Sequence, residues 1–465
     1  MERHALLAQL EKIVGKTGVL SAPGELAVYG YDGSIERHAP DAVVLPTSTE
    51  EVAQVVRLAA ENGVPVVPRG AGTGVSGGSV PVAGGIVLGM ARMKRILDIN
   101  VEDSYAVVEP GVVNLDVSVA AAPYGLSYVP DPSSQTVSTI GGNVAENAGG
   151  PHCLLYGMTA NHVLGLEVVF AGGEVAHLGG VAPDAPGYDL RGVMVGSEGT
   201  LAIVTKIIVR LIPRPTDART LLAMFGQLED AGRAVSAIIA RGIIPAALEI
   251  MDGTMMRAVE AAVHAGYPPD AEAVLLVEVD GYSEGLDEMS AEIQEICRQN
   301  GAREIRLAAT ADERIALWKG RKSAFGAMGR IAPSYYIQDG VVPRSRLPEV
   351  LRYVVEVSEK HGMKIANVLH AGDGNLHPLV AFDPRQPGVM DKVRAASADI
   401  LKKCVELGGA ITGEHGVGLE KQDFMVWLFN DDDLAQMRKL KAVFDPQGTL
   451  NPGKIFPGAW RAVRA

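Results

Sequence analysis

Two short glycine-flanked stretches hold the residue types best suited to chemistry. They are His370-Ala371-Gly372-Asp373-Gly374-Asn375-Leu376-His377 and Gly413-Glu414-His415-Gly416. Histidine and carboxylate offer nitrogen and oxygen donors to a divalent cation, and an imidazole can also take up a proton near neutral pH. The Gly-Asp-Gly-Asn between His370 and His377 predicts a tight turn that brings both imidazoles to one centre. A lone histidine is ordinarily a surface or satisfied core residue. Here three of the chain's ten histidines fall in these two stretches beside acids. Two histidines and Glu414 then form a reasonable ligand set with one position open. Spacing alone leaves a metal site and a purely acid–base cluster both open.

A second kind of chemistry is suggested by three glycine loops in the first half of the chain. Pro68-Arg69-Gly70-Ala71-Gly72-Thr73-Gly74-Val75-Ser76-Gly77-Gly78 contains a formal GxGxxG. In a Rossmann turn a helix must follow, because its N-terminus cradles the pyrophosphate. Pro81, Gly84 and Gly85 come next and preclude one. The loop reads instead as a nest, in which consecutive backbone N–H groups converge on phosphate oxygens. Residues 138–150, followed by Tyr156-Gly157, form a second loop of small, hydroxyl and amide residues, and Gly196-Ser197-Glu198-Gly199-Thr200 a third. Three phosphate-compatible loops imply one large, extended ligand, and a dinucleotide held outside a Rossmann fold fits best.

The elements that must carry these loops show in the apolar periodicity. A helix over 4–15, a strand at 42–45, a helix over 52–61 led by Thr47-Ser48-Thr49 and a strand at 64–67 give a β-α-β start. Short β-rich segments follow at 86–89, 105–109, 163–169, 173–178 and 201–210, and Pro213-Arg214-Pro215-Thr216 marks a boundary. Beyond it strands (221–225, 247–250, 273–280, 364–369) alternate with helices (228–241, 283–300, 346–361, 388–407). That is the pattern of helices packed on one antiparallel sheet, an α+β layer. The turn-rich tail over 444–454 is expected to dock back onto the rest.

Bulk composition narrows the classes. A chain of 465 residues predicts two or three folding units. The net charge of −13 repels phosphate backbones, which argues against nucleic acid as a partner. Cys153, Cys297 and Cys404 are far apart and odd in number, so neither a disulfide framework nor an iron–sulfur cluster is expected. The N-terminus lacks the apolar core of a signal peptide, and no run of eighteen apolar residues occurs. The chain is read as soluble and cytoplasmic, with no transmembrane segment.

With these motifs in place, 67–78, 140–150 and 196–200 resemble the three signatures of the FAD domain in the vanillyl-alcohol-oxidase-type flavoprotein superfamily. Trp318-Lys319-Gly320-Arg321-Lys322, Tyr336, Asp339-Gly340, the His370–His377 block, Gly413–Gly418 and Asn451-Pro452-Gly453 are similar to the C-terminal half of bacterial glycolate oxidase FAD subunits and of D-lactate and D-2-hydroxyglutarate dehydrogenases. The resemblance spans nearly the whole chain, with every block in family order. It implies an α+β protein of three parts. Residues 1–216 would form a two-subdomain FAD-binding domain and 217–410 a ferredoxin-like substrate cap. Residues 411–465 would return to the FAD domain and complete the active site.

The resemblance also assigns roles. FAD would be held by Arg69, Gly70, Ala71, Gly72, Thr73, Gly74 and Ser76 of the first loop. Pro130, Ser138, Gly141, Gly142, Asn143, Asn147, Ala148, Gly150 and Gly157 would serve around the second, and Glu198, Gly199, Ile203 and Asn451 elsewhere. No histidine stands in 67–78, so non-covalent flavin is expected, with His152 and Cys153 as the less favoured attachment points. His370, His377 and Glu414 would ligate a divalent metal, usually zinc. His415 would be the catalytic base, and Arg321 would pair with the substrate carboxylate. Glu249 is read as structural. Relatives acting on the longer dicarboxylate tend to carry a lysine near the strand after Tyr336, where this chain has Ile337-Gln338-Asp339. The implied reaction is oxidation of glycolate or D-lactate to the 2-oxo acid. Electrons would pass to a second flavin subunit, an iron–sulfur subunit, an electron-transferring flavoprotein or a quinone, with any membrane association made through such partners. A homodimer is left open.

Three competing readings have distinct signatures. D-2-hydroxyglutarate dehydrogenation would differ in substrate alone. A non-catalytic flavin-carrying subunit would not need His415. Metal-dependent hydrolysis of a nucleotide would leave the large flavin-type region without a purpose.

Overall fold

The computed structural model describes residues 2–182 and 186–459; the end of the 411–465 segment, 460–465, lies outside the described residues. The chain divides into two compact units. The first comprises Met1–Gly149, Gly157–Arg214 and Glu414–Ala465, the second Gly150–Tyr156 and Pro215–Gly413.

The first unit holds two main sheets. One has the order Val19–Leu20, Ala42–Val44, Ile86–Gly89, Val66–Arg69, with its last three strands parallel. The helix Thr49–Glu61 makes the crossover, and the Ser48 hydroxyl caps it by accepting from the Glu51 N–H at 3.3 Å. Val52, Val55, Val56 and Ala59 of that helix are buried with the sheet in one core. The other sheet is antiparallel, with the order Ile96–Asn100, Tyr105–Val108, Ile203–Arg210, Val163–Val169, Val175–Gly179. Along Ile203–Arg210, buried residues alternate with half-buried ones, as a strand with one face on a core requires. The tail docks into this unit. Leu450 bridges Val66, whose N–H donates to the Thr449 carbonyl, and Asp445 accepts from the N–H groups of Thr449 and Leu450 at 3.0 and 2.8 Å.

The second loop differs from its sequence reading. Ile140–Glu146 is a helix, capped by the Thr139 hydroxyl accepting from the Gly142 N–H. Ile140 and Val144, four residues apart, are both fully buried. Their burial outweighs the roughly 1 kcal/mol that each helical glycine costs. Gly141 is needed because a Cβ there would stand 2.5 Å from the Pro110 Cβ. Asn147 ends the helix in the left-handed region at φ 52°.

The second unit is built on one antiparallel sheet of eight strands. Its first four, Asp217–Phe225, Ala247–Asp252, Ala273–Gly281 and Ala302–Leu307, lie in the order fourth, first, third, second, the ferredoxin-like arrangement. The ferredoxin-like arrangement expected of 217–410 therefore accounts for half of the sheet. Lys364–His370 adds beside Ala247–Asp252, then come Asn375–Phe382 and Ser334–Ile337, with the short Gly340–Val341 also paired to Asn375–Phe382. Residues 150–156 join this unit through side chains. The His152 ring lies 5.2 Å from that of Trp318, and the Tyr156 hydroxyl donates to Asp280 at 2.8 Å.

Asp252 ends its strand and caps the helix Gly253–Val263, accepting from the Met255 N–H at 2.7 Å and from the Asn367 N–H at 2.7 Å. Burial pushes its carboxyl up to about 6, more than these hydrogen bonds pull it down. The folded state thus holds this proton more tightly than the unfolded chain. Its contribution is complete below the ordinary aspartate range and is lost as pH rises through about 6. The stability of the wild type relative to Asp252→Asn is expected to fall by about 2 kcal/mol between pH 4 and pH 6. Urea unfolding across that window measures it, and a flat difference would refute the assignment.

Candidate active site

In the second unit, strand register puts the chemical residues on one face. Lys364–His370 pairs with Asn375–Phe382 so that Val368 faces His377 and His370 faces Asn375. Residues two apart share a face, so His370 and His377 are diagonal neighbours on the same side. Gly374, at φ 76°, makes the turn between them, and a Cβ there would collide with the Val342 carbonyl oxygen. The two rings lie 5.1 Å apart, nearly perpendicular, so the turn does bring both imidazoles together. On the neighbouring strand Glu249 is the cross-strand partner of His370, and Glu278 follows on the next strand, opposite Ala247.

The helix Ala311–Lys322 sets a complementary row on this face. Arg314, Trp318 and Arg321, at helical spacing, reach the acids. Arg314 Nη2 and Trp318 Nε1 each donate to Glu278 at 2.6 Å. Burial would raise the Glu278 carboxyl, but His152, Arg314 and Thr220 hold it far below the usual range. Arg321 donates through Nε to Glu249 at 2.7 Å and pairs with it through Nη2 at 2.5 Å. The Arg321 fork expected to meet a substrate carboxylate is thus taken up by Glu249. Only Nη1 is buried with no hydrogen-bond partner among the described residues.

The two imidazoles are each held from behind. His370 Nδ1 meets Glu249 Oε1 at 2.8 Å, and His377 Nδ1 lies 3.3 Å from the Gln338 carbonyl oxygen. A donating Nδ1 leaves the lone pair on Nε2, which is the form a metal-ligating histidine takes. These residues fit a divalent cation. Asp339, fully buried, accepts from the Thr412 hydroxyl at 2.5 Å and the Gly413 N–H at 2.9 Å, which anchors the chain just before Glu414. Neither the Glu249 contact nor the Asp339 anchor was legible from spacing. The only signal was an acid inside an otherwise apolar strand.

In the first unit the three glycine loops converge. No helix follows the first loop, so the Rossmann test fails in the structure as it does in the sequence. The second loop's helix meets the third, where Gly196 N–H donates to Val144 and Glu198 N–H to Ala145, both at 2.8 Å. Asn451 ties first to third, its Nδ2 donating to the carbonyls of Gly78 and Glu198 at 2.8 and 2.7 Å. Ser76, Ser138 and Asn143 carry buried Oγ, Oγ and Nδ2 atoms with no partner among the described residues. Small residues and buried polar atoms on converging loops fit a large polar ligand such as FAD.

Other expected flavin contacts have a structural occupation. The Arg69 guanidinium donates to the Tyr31 carbonyl at 2.6 Å and the Ser79 hydroxyl at 3.2 Å, which clamps the loop Gly70–Gly78 at its base. Pro130 accepts from Asn114 Nδ2, Asn147 Oδ1 accepts from Ala160 N–H and the Ala148 carbonyl from Thr159. Ile203 is buried in the core, and Gly150 groups with the second unit.

Glu198 has a role that its sequence position does not reveal. Its carboxylate accepts from the N–H groups of Val417 and Gly418 at 2.7 and 2.8 Å, pinning the loop that carries Glu414 and His415. Glu146 is close by, and burial together with the Glu198 charge pushes its carboxyl well above the usual range. Burial brings Lys454 down to about 8.

Comparison with known proteins accounts for both units. Residues 40–179 match the FAD binding domain family and 214–455 the family of FAD linked oxidases, C-terminal domain. The chain is 48% identical over 464 residues to glycolate oxidase subunit GlcD of Escherichia coli, covering 100% of this chain and 93% of that protein. It is 35% identical over 439 residues to D-lactate dehydrogenase of Archaeoglobus fulgidus, covering 92% and 95%. Among solved structures, p-cresol methylhydroxylase with substrate bound superimposes at TM-score 0.82 with 19% identity, covering 97% of this chain and 96% of that one. For 4-ethylphenol oxidase of Gulosibacter chungangensis the TM-score is 0.80, with 19% identity and coverage of 99% and 98%. The chain therefore belongs to the FAD-linked oxidase family and is an FAD-dependent oxidoreductase with the two-domain vanillyl-alcohol-oxidase-type fold.

Proposed function

We propose that the chain oxidises a small D-2-hydroxy acid, glycolate or D-lactate, to the 2-oxo acid, with His370, His377 and Glu414 holding a divalent ion, zinc being the first choice. The observation that carries this reading is the pair of buried imidazoles with Nδ1 of each facing an oxygen acceptor, beside the buried Arg321. The relatives named for glycolate and D-lactate support the substrate class. We read the first unit as the flavin-binding part and the second as the substrate cap. Residues 414–465 return to the flavin-binding part, and Glu414 follows directly on the Asp339-anchored Thr412-Gly413.

Bound FAD would supply the hydride acceptor, and a bound divalent ion would stabilise charge developing on the substrate oxygen. His415 accepts the hydroxyl proton. Arg321 offers Nη1 to the substrate carboxylate, a charge-assisted bond that orients the α-carbon. Glu198, Asn451 and the three loops fix the flavin-side geometry. Electrons leave to a partner, which the word "subunit" in the relatives' names favours: a second flavin subunit, an iron–sulfur subunit, an electron-transferring flavoprotein or a quinone. A cytoplasmic location fits cysteines that form no disulfide. No helix among the described residues is long and apolar enough to cross a membrane.

The test is anaerobic mixing of the purified protein with D- and L-lactate, glycolate and D-2-hydroxyglutarate. D-lactate or glycolate is expected to bleach the flavin band within one turnover. Prior chelation should slow bleaching by roughly 100-fold. Protein that purifies without flavin, or that bleaches only with L-lactate, would reject the reading.

A further inference from the structure

One carboxylate serves two functional side chains at once. Glu249, 1% exposed, lies between His370 and Arg321 on the polar face of the second unit's sheet. Both its oxygens are within reach of His370 Nδ1, at 2.8 and 3.0 Å, and Oε2 also takes the Arg321 Nε and Nη2. A second group lies near the same imidazole nitrogen, Arg321 Nη2 at 3.4 Å, and a guanidinium can only donate. The two neighbours make opposite demands. Glu249 requires a proton on Nδ1 and so leaves the lone pair on Nε2. Arg321 alone would require the lone pair on Nδ1 and move the proton to Nε2.

We propose that Glu249 is the positioning residue that fixes His370 in its Nδ1–H tautomer against the competing Arg321 guanidinium, and thereby makes Nε2 the metal-binding atom. This rests on the reading of His370 as a metal ligand. Glu249 also neutralises Arg321 and holds its Nε–Nη2 edge, so that Nη1 is what remains for a substrate carboxylate. The site is thus one coupled unit, in which the same acid sets the metal ligand and the anion-binding arginine. A neutral amide cannot do both. In Glu249→Gln the side-chain amide would turn its oxygen to Arg321 and its NH₂ to His370, which reverses the tautomer.

The experiment uses holo-flavoprotein stripped of metal. Zn²⁺ affinity is measured by competition with a chromophoric chelator, and the His370 tautomer by ¹⁵N-histidine NMR of the metal-free protein, the resonance being assigned with His370→Gln. Glu249→Gln is expected to weaken Zn²⁺ binding by about 10- to 100-fold and to move His370 from the Nδ1–H to the Nε2–H form, with flavin content unchanged. Glu249→Asp, which keeps the charge, should recover most of the affinity; if the glutamine variant fails to fold, the wild-type spectrum carries the test, because a His370 already in the Nε2–H form overturns the proposal. Wild-type Zn²⁺ affinity in both variants overturns the proposal. If the wild type binds no Zn²⁺ that His370→Gln abolishes, the metal reading fails on its own account. The NMR signal then judges Glu249: an unchanged tautomer overturns the positioning role, and a reversed one sustains it.

Discussion

Replacing His415 by alanine is expected to lower kcat for glycolate or D-lactate by roughly 10²- to 10⁴-fold, with flavin content and melting temperature close to wild type. Oxidising a 2-hydroxy acid removes a hydroxyl proton as well as a hydride. Bound flavin would supply the hydride acceptor, which leaves the proton to a side chain of the protein. His415 lies in the loop Gly413–Gly416, partly accessible with 14% of its side chain exposed, and its Nε2 is 3.8 Å from Glu414 Oε1. Removing an imidazole at such a position opens no large core cavity, so the loss should fall on turnover and leave folding intact. Added imidazole should restore part of the rate. Steady-state assays on the protein with its electron acceptor measure the effect. Unchanged turnover in the assembled complex would point instead to a flavin-carrying subunit whose chemistry lies elsewhere.

The second large effect is expected at Glu198. Glu198→Ala should destabilise the protein by roughly 1–3 kcal/mol for each of the two backbone donors left without an acceptor, Val417 and Gly418. It should also reduce turnover at least tenfold, because the loop those donors belong to carries Glu414 and His415. The residue itself is held in place on three sides. Its N–H donates to Ala145, its carbonyl accepts from Asn451, and its backbone sits in the left-handed region at φ 53°. Glu198→Gln retains one acceptor oxygen and should fall between. Denaturant unfolding and kcat measured on the same preparations separate the two consequences. Wild-type stability together with wild-type turnover in Glu198→Ala would remove Glu198 from the positioning role.

How much of this was legible in the chain depends on the range of the interaction. The helices and strands that apolar spacing predicted are all present, because burial of one face imposes a period of 3.6 or 2, while helices such as Gly253–Val263, Ala311–Lys322 and Asp431–Phe444 were not predicted. The breakdowns came where tertiary contact overrode local preference. Ile140–Glu146 carries two glycines and read as loop, yet the buried Ile140 and Val144 hold it helical. The strand Asn375–Phe382 was hidden behind its own polar residues, and with it its partners Ser334–Ile337 and Gly340–Val341.

The same division runs through the site. His370, His377, Glu414 and His415 stood out because their types and their glycine neighbours are unusual, and local turn chemistry alone brings the first two together. Loops 67–78, 138–150 and 196–200 pointed to an extended phosphate-bearing ligand, since only small residues let backbone amides approach one closely. By itself, then, the sequence determined the donor types, the turn between the histidines and the class of cofactor. Tertiary structure decided their partners. Glu249 lies 72 residues from Arg321 and 121 from His370; strand register places Glu249 beside His370, and the packing of the helix Ala311–Lys322 brings Arg321 to them. Glu198 lies 219 residues from Val417. Such pairings follow from how sheets and loops assemble, which no local pattern encodes. They give Arg321 a partner at its Nε–Nη2 edge, leaving Nη1 without one among the described residues, and they make Glu198 the acceptor that pins the backbone at Val417 and Gly418.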